Sequence, residues 1–329
     1  MRTLPLALSL AAALVAGCAS QQHCKPLPGA PALALDWKSE RHRDHPLVGR
    51  IWDVKQARFV DQAALDAAVA GADFALLGET HDNPDHHLLQ ARLVRAAAAS
   101  GRHPAIAFEM LDTGKQAALD AAARKKPASA DAVGAAVQWD KSGWPAFALY
   151  RPIFAAAVEE DLPLIAANLV RKEVQEVVTK GPAALSPDLR RAVEAPMEPE
   201  ALREMREEMA ESHCGKLPEP LLDPMVLGQR ARDAQLAESL STAGASRPVI
   251  LIAGTGHVRT DRGVPWYLPP AARARKLVSV ALVEVLKDGC TPEAYAKDYT
   301  AAALPFDYVV FTPGAEREDP CKGMKVRPR

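Results

Sequence analysis

Aromatic residues make up only 5% of this 329-residue chain, and its charges nearly cancel, leaving a formal net charge of -1. With no basic stripe along it, the chain lacks the electrostatic footprint of nucleic-acid binding. Beyond residue 18 no apolar stretch reaches transmembrane length without charges. No serine or cysteine stands in a G-x-S-x-G elbow. The glycine-bearing "GTGHVRTDRGVP" has no P-loop lysine, and Arg259 occupies the third glycine position of a dinucleotide finger. Nucleotide binding is therefore set aside.

The N-terminus is more informative. Arg2 precedes an apolar run from Leu4 to Val15, too short to span a bilayer. Val15-Ala16-Gly17-Cys18 resembles the lipobox of bacterial lipoproteins. The resemblance implies a signal peptide over residues 1–17, lipidation of Cys18, and a lipid anchor as the chain's contact with the membrane. Ala19 rather than aspartate after the cysteine favours the outer membrane. Residues 18–47, with "KPLPGAP" and "ERHRDHP", read as a tether, and residues 313–329 as a peripheral tail. Export would place Cys24, Cys214, Cys290 and Cys321 in an oxidising space, where three pairings exist; Cys290–Cys321 is expected, because both flank the last strands.

Between the ends the pattern is α/β. "GRIWDV" and "ARFV" read as an entrance hairpin. "DFALLG", "PAIAFEM", "LPLIAANL", "PVILIAGTG", "LVSVALVEV" and "YVVFT" are continuous apolar runs, which a sheet covered on both faces requires. Most are separated by Ala-rich helical stretches, as at 84–99, 113–125 and 146–160. A largely parallel central sheet flanked by helices follows, in a domain over residues 48–312. Residues 170–243 contain no credible strand and read as an all-helical insertion between sheet strands. Its Met205, Met209 and Met225 have helical spacing, suited to core packing or to a greasy ligand surface.

The polar groups share one placement. Glu79 and His81, Glu109, Asn168 with Arg171, and His257 with Arg259 each follow a buried strand at its carboxyl end, where ligand crevices of open α/β sheets lie. His86 and His87 sit in the first turn of a helix capped by Asn83-Pro84, where the dipole favours neutral imidazole, and His86 shares a face with Leu89 and Leu93. Gly254 and Gly256 are expected to turn the backbone so that His257 faces the crevice. Glu79 and His81 do not have HExxH spacing. His213-Cys214, inside the insertion, offers an imidazole and a structural or disulfide cysteine.

"LLGETHDNPDHHLLQ", "IAFEML", "LIAANLVR", "SHCGKLPEPLLDPMVLGQRARD" and "LIAGTGHVRTDRGVPWYL" resemble successive motifs of the ChaN-like haem-binding lipoproteins, in a superfamily with the erythromycin esterases and the Tiki and TraB proteins. The resemblance implies haem or iron acquisition at the cell envelope, with haem between protomers of a homodimer, iron held by a tyrosine, and an outer-membrane haem receptor as partner. Among Tyr150, Tyr267, Tyr295, Tyr299 and Tyr308, Tyr267 lies nearest the histidine loop in sequence; His213 and the three methionines are the alternative ligands. The hydrolase members of the superfamily imply a different use of Glu79, His81, Glu109 and His257. That set would act on water through a histidine base, or through a divalent metal on Glu79, His81 and His257.

Overall fold

The computed structural model describes residues 24–125, 128–319 and 321–322. Cys18 and the signal segment lie outside the described residues. The elements, in chain order, begin with a hairpin of β1 (Ile51–Asp53) and β2 (Arg58–Val60). Then come α1 (Gln62–Ala70), β3 (Phe74–Glu79), α2 (Pro84–Ala99), β4 (Ala105–Asp112), α3 (Gln116–Ala123), α4 (Ala130–Ala136), α5 (Phe147–Glu159) and β5 (Leu164–Asn168). Four helices separate β5 from the next strand: α6 (Arg171–Lys180), α7 (Pro187–Glu194), α8 (Pro199–Ser212) and α9 (Glu219–Gly244). The chain closes with β6 (Val249–Gly254), α10 (Val264–Tyr267), α11 (Pro270–Arg273), β7 (Leu277–Glu284) and β8 (Tyr308–Thr312).

The eight strands form one mixed sheet in the order β2-β1-β8-β7-β3-β6-β4-β5. The hairpin pairs antiparallel within itself and with β8; the other five pairings are parallel. From β3 the chain travels to the β4 and β5 edge and returns to insert β6 beside β3, then passes to β7 on the far side. Connections from the carboxyl ends of β3 and β6 thus run in opposite directions, which opens a crevice between them.

Burial on both faces explains the unbroken apolar strands. In β3, Ala75 and Leu77 pack with Leu89, Leu93 and Phe154 from α2 and α5, while Phe74 and Leu76 pack with Leu236 and Leu240 from α9. Side chains alternate faces along a strand, so one apolar run serves two helical layers. Each such fully buried side chain contributes about 1.5–3 kcal/mol of hydrophobic stabilisation. Local signals set the helix starts: Asn83 accepts from the Asp85 N–H with Pro84 at the first helical position, and Ser186 accepts from Leu189 ahead of Pro187.

Two expectations are corrected. Residues 24–47 are not a loose tether but lie along the body. Leu33 is buried with its N–H bonded to the Gly49 carbonyl, Arg50 holds the Leu27 and Pro28 carbonyls, and the Lys38 and Ser39 N–H groups donate to Asp85. Nor do Cys290 and Cys321 pair with each other. The disulfides are Cys24–Cys290 and Cys214–Cys321, so one ties this N-terminal strap to the loop after β7, and the other ties the end of α8 to the tail. Adjacency to the last strands was a poor guide because both partners come from segments that dock from outside the sheet.

Candidate functional site

The crevice at the carboxyl ends of β3, β4 and β6 holds two charge networks. In the first, Glu79 is 2% exposed at the end of β3. Its Oε1 accepts from Tyr150 at 2.9 Å and meets His81 Nδ1 at 3.0 Å. Its Oε2 lies 2.7 Å from His87 Nδ1, a charge contact without hydrogen-bond alignment. Burial pushes the Glu79 carboxyl up, but the His87 charge and the two histidine contacts outweigh it and hold the group down at about 2. His87 Nε2 donates to the His81 carbonyl at 3.1 Å.

His81 is the open member of this network, with a third of its side chain exposed and its ring against Trp144. Burial opposes its protonation, yet the hydrogen bond to Glu79 and the charges of Glu109 and Glu79 raise its pKa. A carboxylate-oriented imidazole of this kind is competent to take or deliver a proton at Nε2. Gly254 gives His81 clearance and is not needed for a turn: a Cβ on it would stand 2.9 Å from His81 Nε2 and the ring would have to shift. Its φ is -59°, ordinary for any residue, so the sequence-based reason for this glycine is replaced by close approach.

The second network joins the sheet to the helical segment. Glu109, 2% exposed on β4, accepts from the Gly254 N–H at 2.7 Å with Oε2, while Oε1 takes Arg232 and His257 Nε2, the latter at 3.1 Å. His257 Nδ1 lies 2.5 Å from Asp233. Burial opposes a charge on His257, but Glu109 and Asp233 on its two sides raise its pKa to about 9. The same pairing, against the cost of burial, keeps Glu109 well below the usual carboxylate range. Asn168 braces the floor by donating to the Glu109 carbonyl and accepting from Leu169 N–H, both at 2.8 Å.

Of the residues expected in the crevice, Glu79, His81, Glu109, Asn168 and His257 are brought together, and His87 joins them from α2. Arg171 stands exposed at the edge of an adjoining cleft. His86 is turned away. Its Nδ1 accepts from the Thr80 N–H at 2.8 Å, so Nε2 carries the proton and donates to Thr312, and burial holds its pKa down at about 3. Arg259 is also spent elsewhere, on Asp261 and the Tyr299 carbonyl. Asp233, Arg232, Gln229 and Tyr150 were missed, and all four come from helices packed over the sheet edge.

The divalent-metal expectation fails on this geometry. Among the described residues no group of three or more His, Cys, Asp or Glu side chains is arranged to hold a metal ion. His257 has both ring nitrogens facing carboxylates, and His81 Nε2 stays 4.0 Å from Glu109. The groups satisfy one another instead of converging on one point.

The residues proposed for haem lie around α8 and α9, beside the second network. Met205 is buried with Met197 and Val226, and Met209 and Tyr267 pack against them. The Tyr267 hydroxyl accepts from Arg230 at 3.0 Å. Burial raises its pKa although Arg230 opposes that. Met225 is half-buried on α9. His213 follows α8 and donates from Nδ1 to the Met209 carbonyl at 2.8 Å. Met205 and Met209 line a recess of about 190 Å³ beside Asp233 and Arg262.

The family model for haem-binding uptake proteins of the Tiki superfamily, ChaN, matches residues 65–268. The chain belongs to this ChaN-like family. In fold this ChaN-like chain is similar to ChaN of Campylobacter jejuni, whose structure is described as binding haem cofacially. The two are 24% identical, and their superposition covers 79% of this chain and 95% of that one with a TM-score of 0.63. An erythromycin esterase EreC variant in its open conformation (12% identity, 79% and 95% coverage, TM-score 0.44) and the type III effector HopBA1 (13%, 76% and 91%, 0.40) superpose more loosely. No curated protein matches the chain.

Proposed function

We propose that this protein binds haem for bacterial haem or iron acquisition, as an outer-membrane lipoprotein anchored through Cys18. Membership of the ChaN-like haem-binding family is the observation that carries this reading. The recess bounded by Met205 and Met209, about 190 Å³, is smaller than the roughly 300–1,000 Å³ of ligand-enclosing pockets. That recess is too small to enclose haem, so the nominated ligands would hold it on the outer face of the α8 and α9 segment, where a second copy would cover it. A cofacial arrangement like that named for the Campylobacter protein, here in a homodimer, would suit such a surface. A receptor in the outer membrane would be the donor or acceptor of the haem.

Among the nominated ligands, His213 is the best presented. Its Nδ1–H is committed to the Met209 carbonyl, which fixes the tautomer and leaves the Nε2 lone pair for iron. Tyr267 is less ready, because burial holds it as a phenol. Bound haem would supply an iron centre, and the His213 imidazole would hold it.

Titration of the chain from residue 24 onward with hemin tests this. A saturable Soret shift is expected, with dimer formation on loading. His213→Ala should weaken binding by about tenfold, more than Tyr267→Phe. No saturable shift in the unsubstituted protein overturns the reading.

A further inference from the structure

Next to the crevice lies a larger open cleft of about 610 Å³ to which haem binding gives no role. It runs from the ends of β4 and β5 to the loop before α5. Three cations, Lys115, Lys141 and Arg171, line it from three separate segments. Among the described residues none of the three enters an ion pair or donates a side-chain hydrogen bond, whereas the exposed arginines Arg151, Arg191 and Arg203 each hold a neighbouring carboxylate. A fourth cation on the cleft wall, Arg232, is already committed to Glu109.

The carboxylates that face the cleft do not cancel this charge. Glu109 is neutralised by Arg232 and His257. Asp112 has one oxygen accepting from the Gly114 N–H at 3.0 Å, leaving three unmatched cations against one carboxylate. Arg171 is also the first residue of α6, a ten-residue helix whose N-cap, Val170, has no side chain to accept from the first-turn N–H groups. The positive end of that helix adds to the same field, offset in part by Glu173 in its first turn. Trp144, on the same loop as Lys141, also lines the cleft, with Leu111 and Val137 as further apolar lining. Cations and an aromatic face in one cleft suit an organic body carrying an anionic head group.

We propose that this cleft is a second ligand site, for a small organic anion bearing a phosphate or carboxylate, with the head group on Lys115, Lys141 and Arg171 and the body on Trp144. Because the Trp144 ring also touches His81, with centroids 4.8 Å apart, an occupant would sit beside the open imidazole of the Glu79 network.

The test uses the full chain in detergent and three probes of one aromatic body: phenyl phosphate, benzoate and uncharged phenol. At least one anion should bind saturably and weaken with added salt, while phenol should not bind. Phenyl phosphate binding about tenfold tighter than benzoate would identify a phosphate site, and the reverse a carboxylate site. Lys141→Glu with Arg171→Glu should weaken the preferred anion by about tenfold or more, whereas Lys287→Glu, an exposed charge reversal outside the cleft, should leave it unchanged. Trp144→Phe should abolish the ligand-dependent part of the tryptophan fluorescence. Saturable binding of neither anion, equal binding of phenol, or insensitivity to the double reversal overturns the proposal.

Discussion

His257 Nδ1 and Asp233 Oδ1 meet at 2.5 Å, so the end of β6 and the long helix α9 are joined by a buried charge pair. With Glu109 on the other ring nitrogen, the imidazole is held as a cation between two carboxylates. Its task is to fasten the helical segment over the sheet edge, and a lone pair for base chemistry is left to His81.

Replacing Glu109 by Gln should lower the pKa of His257 from about 9 toward the ordinary histidine range, because one flanking negative charge is lost. Breaking a buried pair from one side should also cost about 3–5 kcal/mol in urea unfolding. NMR titration of the His257 ring reads the first effect. An unmoved midpoint would show that Asp233 alone holds the proton.

Stability should fall at alkaline pH through His257. Its folded pKa, about 9, lies above the ordinary 6.5, so its contribution is complete below pH 6.5 and is lost as pH rises through 9. Thermal midpoints measured across that window should decline, and His257→Gln should flatten the decline.

Two contributions to the acid limb, from His86 and Glu79, begin at different pH and overlap below pH 4.5. His86 is held at about 3 against 6.5, so its contribution is present above pH 6.5 and drains away as pH falls toward 3. Glu79, at about 2 against 4.5, contributes above pH 4.5 and loses its share as pH falls through 2. His86→Phe should reduce the slope between pH 6.5 and 4.5 in urea titrations, with the share of His45, whose pKa burial also lowers, remaining. It should also cost about 1–3 kcal/mol at neutral pH, since the buried Thr80 N–H loses its acceptor.

Gly254→Ala should destabilise by about 1–3 kcal/mol, because the new methyl stands 2.9 Å from His81 Nε2 and the ring must swing away. The His81 proton resonances should shift while those of His257 stay in place. Unchanged His81 signals would mean that the ring has room the geometry does not show.

Cys290→Ser should cost about 2–5 kcal/mol and make the segment around Leu33 sensitive to protease, since the Cys24–Cys290 bond closes a loop of 266 residues. Protection of that segment in the variant would show that its hydrogen bonds to Gly49 and Asp85 suffice.

Much of the crevice was legible because a strand in a two-faced sheet must end in a loop, and polar residues at that exit have few other uses. Glu79, His81, Glu109 and His257 were found in this way. Gln229, Arg232 and Asp233 were not, although they lie three and four apart on one face of α9. No local pattern says which sheet edge a helix will cover. His86 and His87 show the same limit more finely. They are neighbours in sequence, yet one bonds Thr312 on β8 and the other meets Glu79 on β3. Helical geometry separates them by about 100° of rotation, and only the packing of α2 decides which one enters the site. The cysteine pairing failed for a related reason, since segments docked from outside leave no periodicity to read.

The docked strap changes what an anchor at Cys18 would mean mechanically. Only five residues lie between Cys18 and Cys24, which is locked to Cys290. Fully extended, the six steps from one cysteine to the other reach about 20 Å. If Cys18 carries a lipid, a body on so short a leash would stay close to the bilayer. Cys290 lies six residues past the carboxyl end of β7, and β7 runs parallel to β3. Such an anchor would tether the protein from the same end of the sheet that carries the crevice.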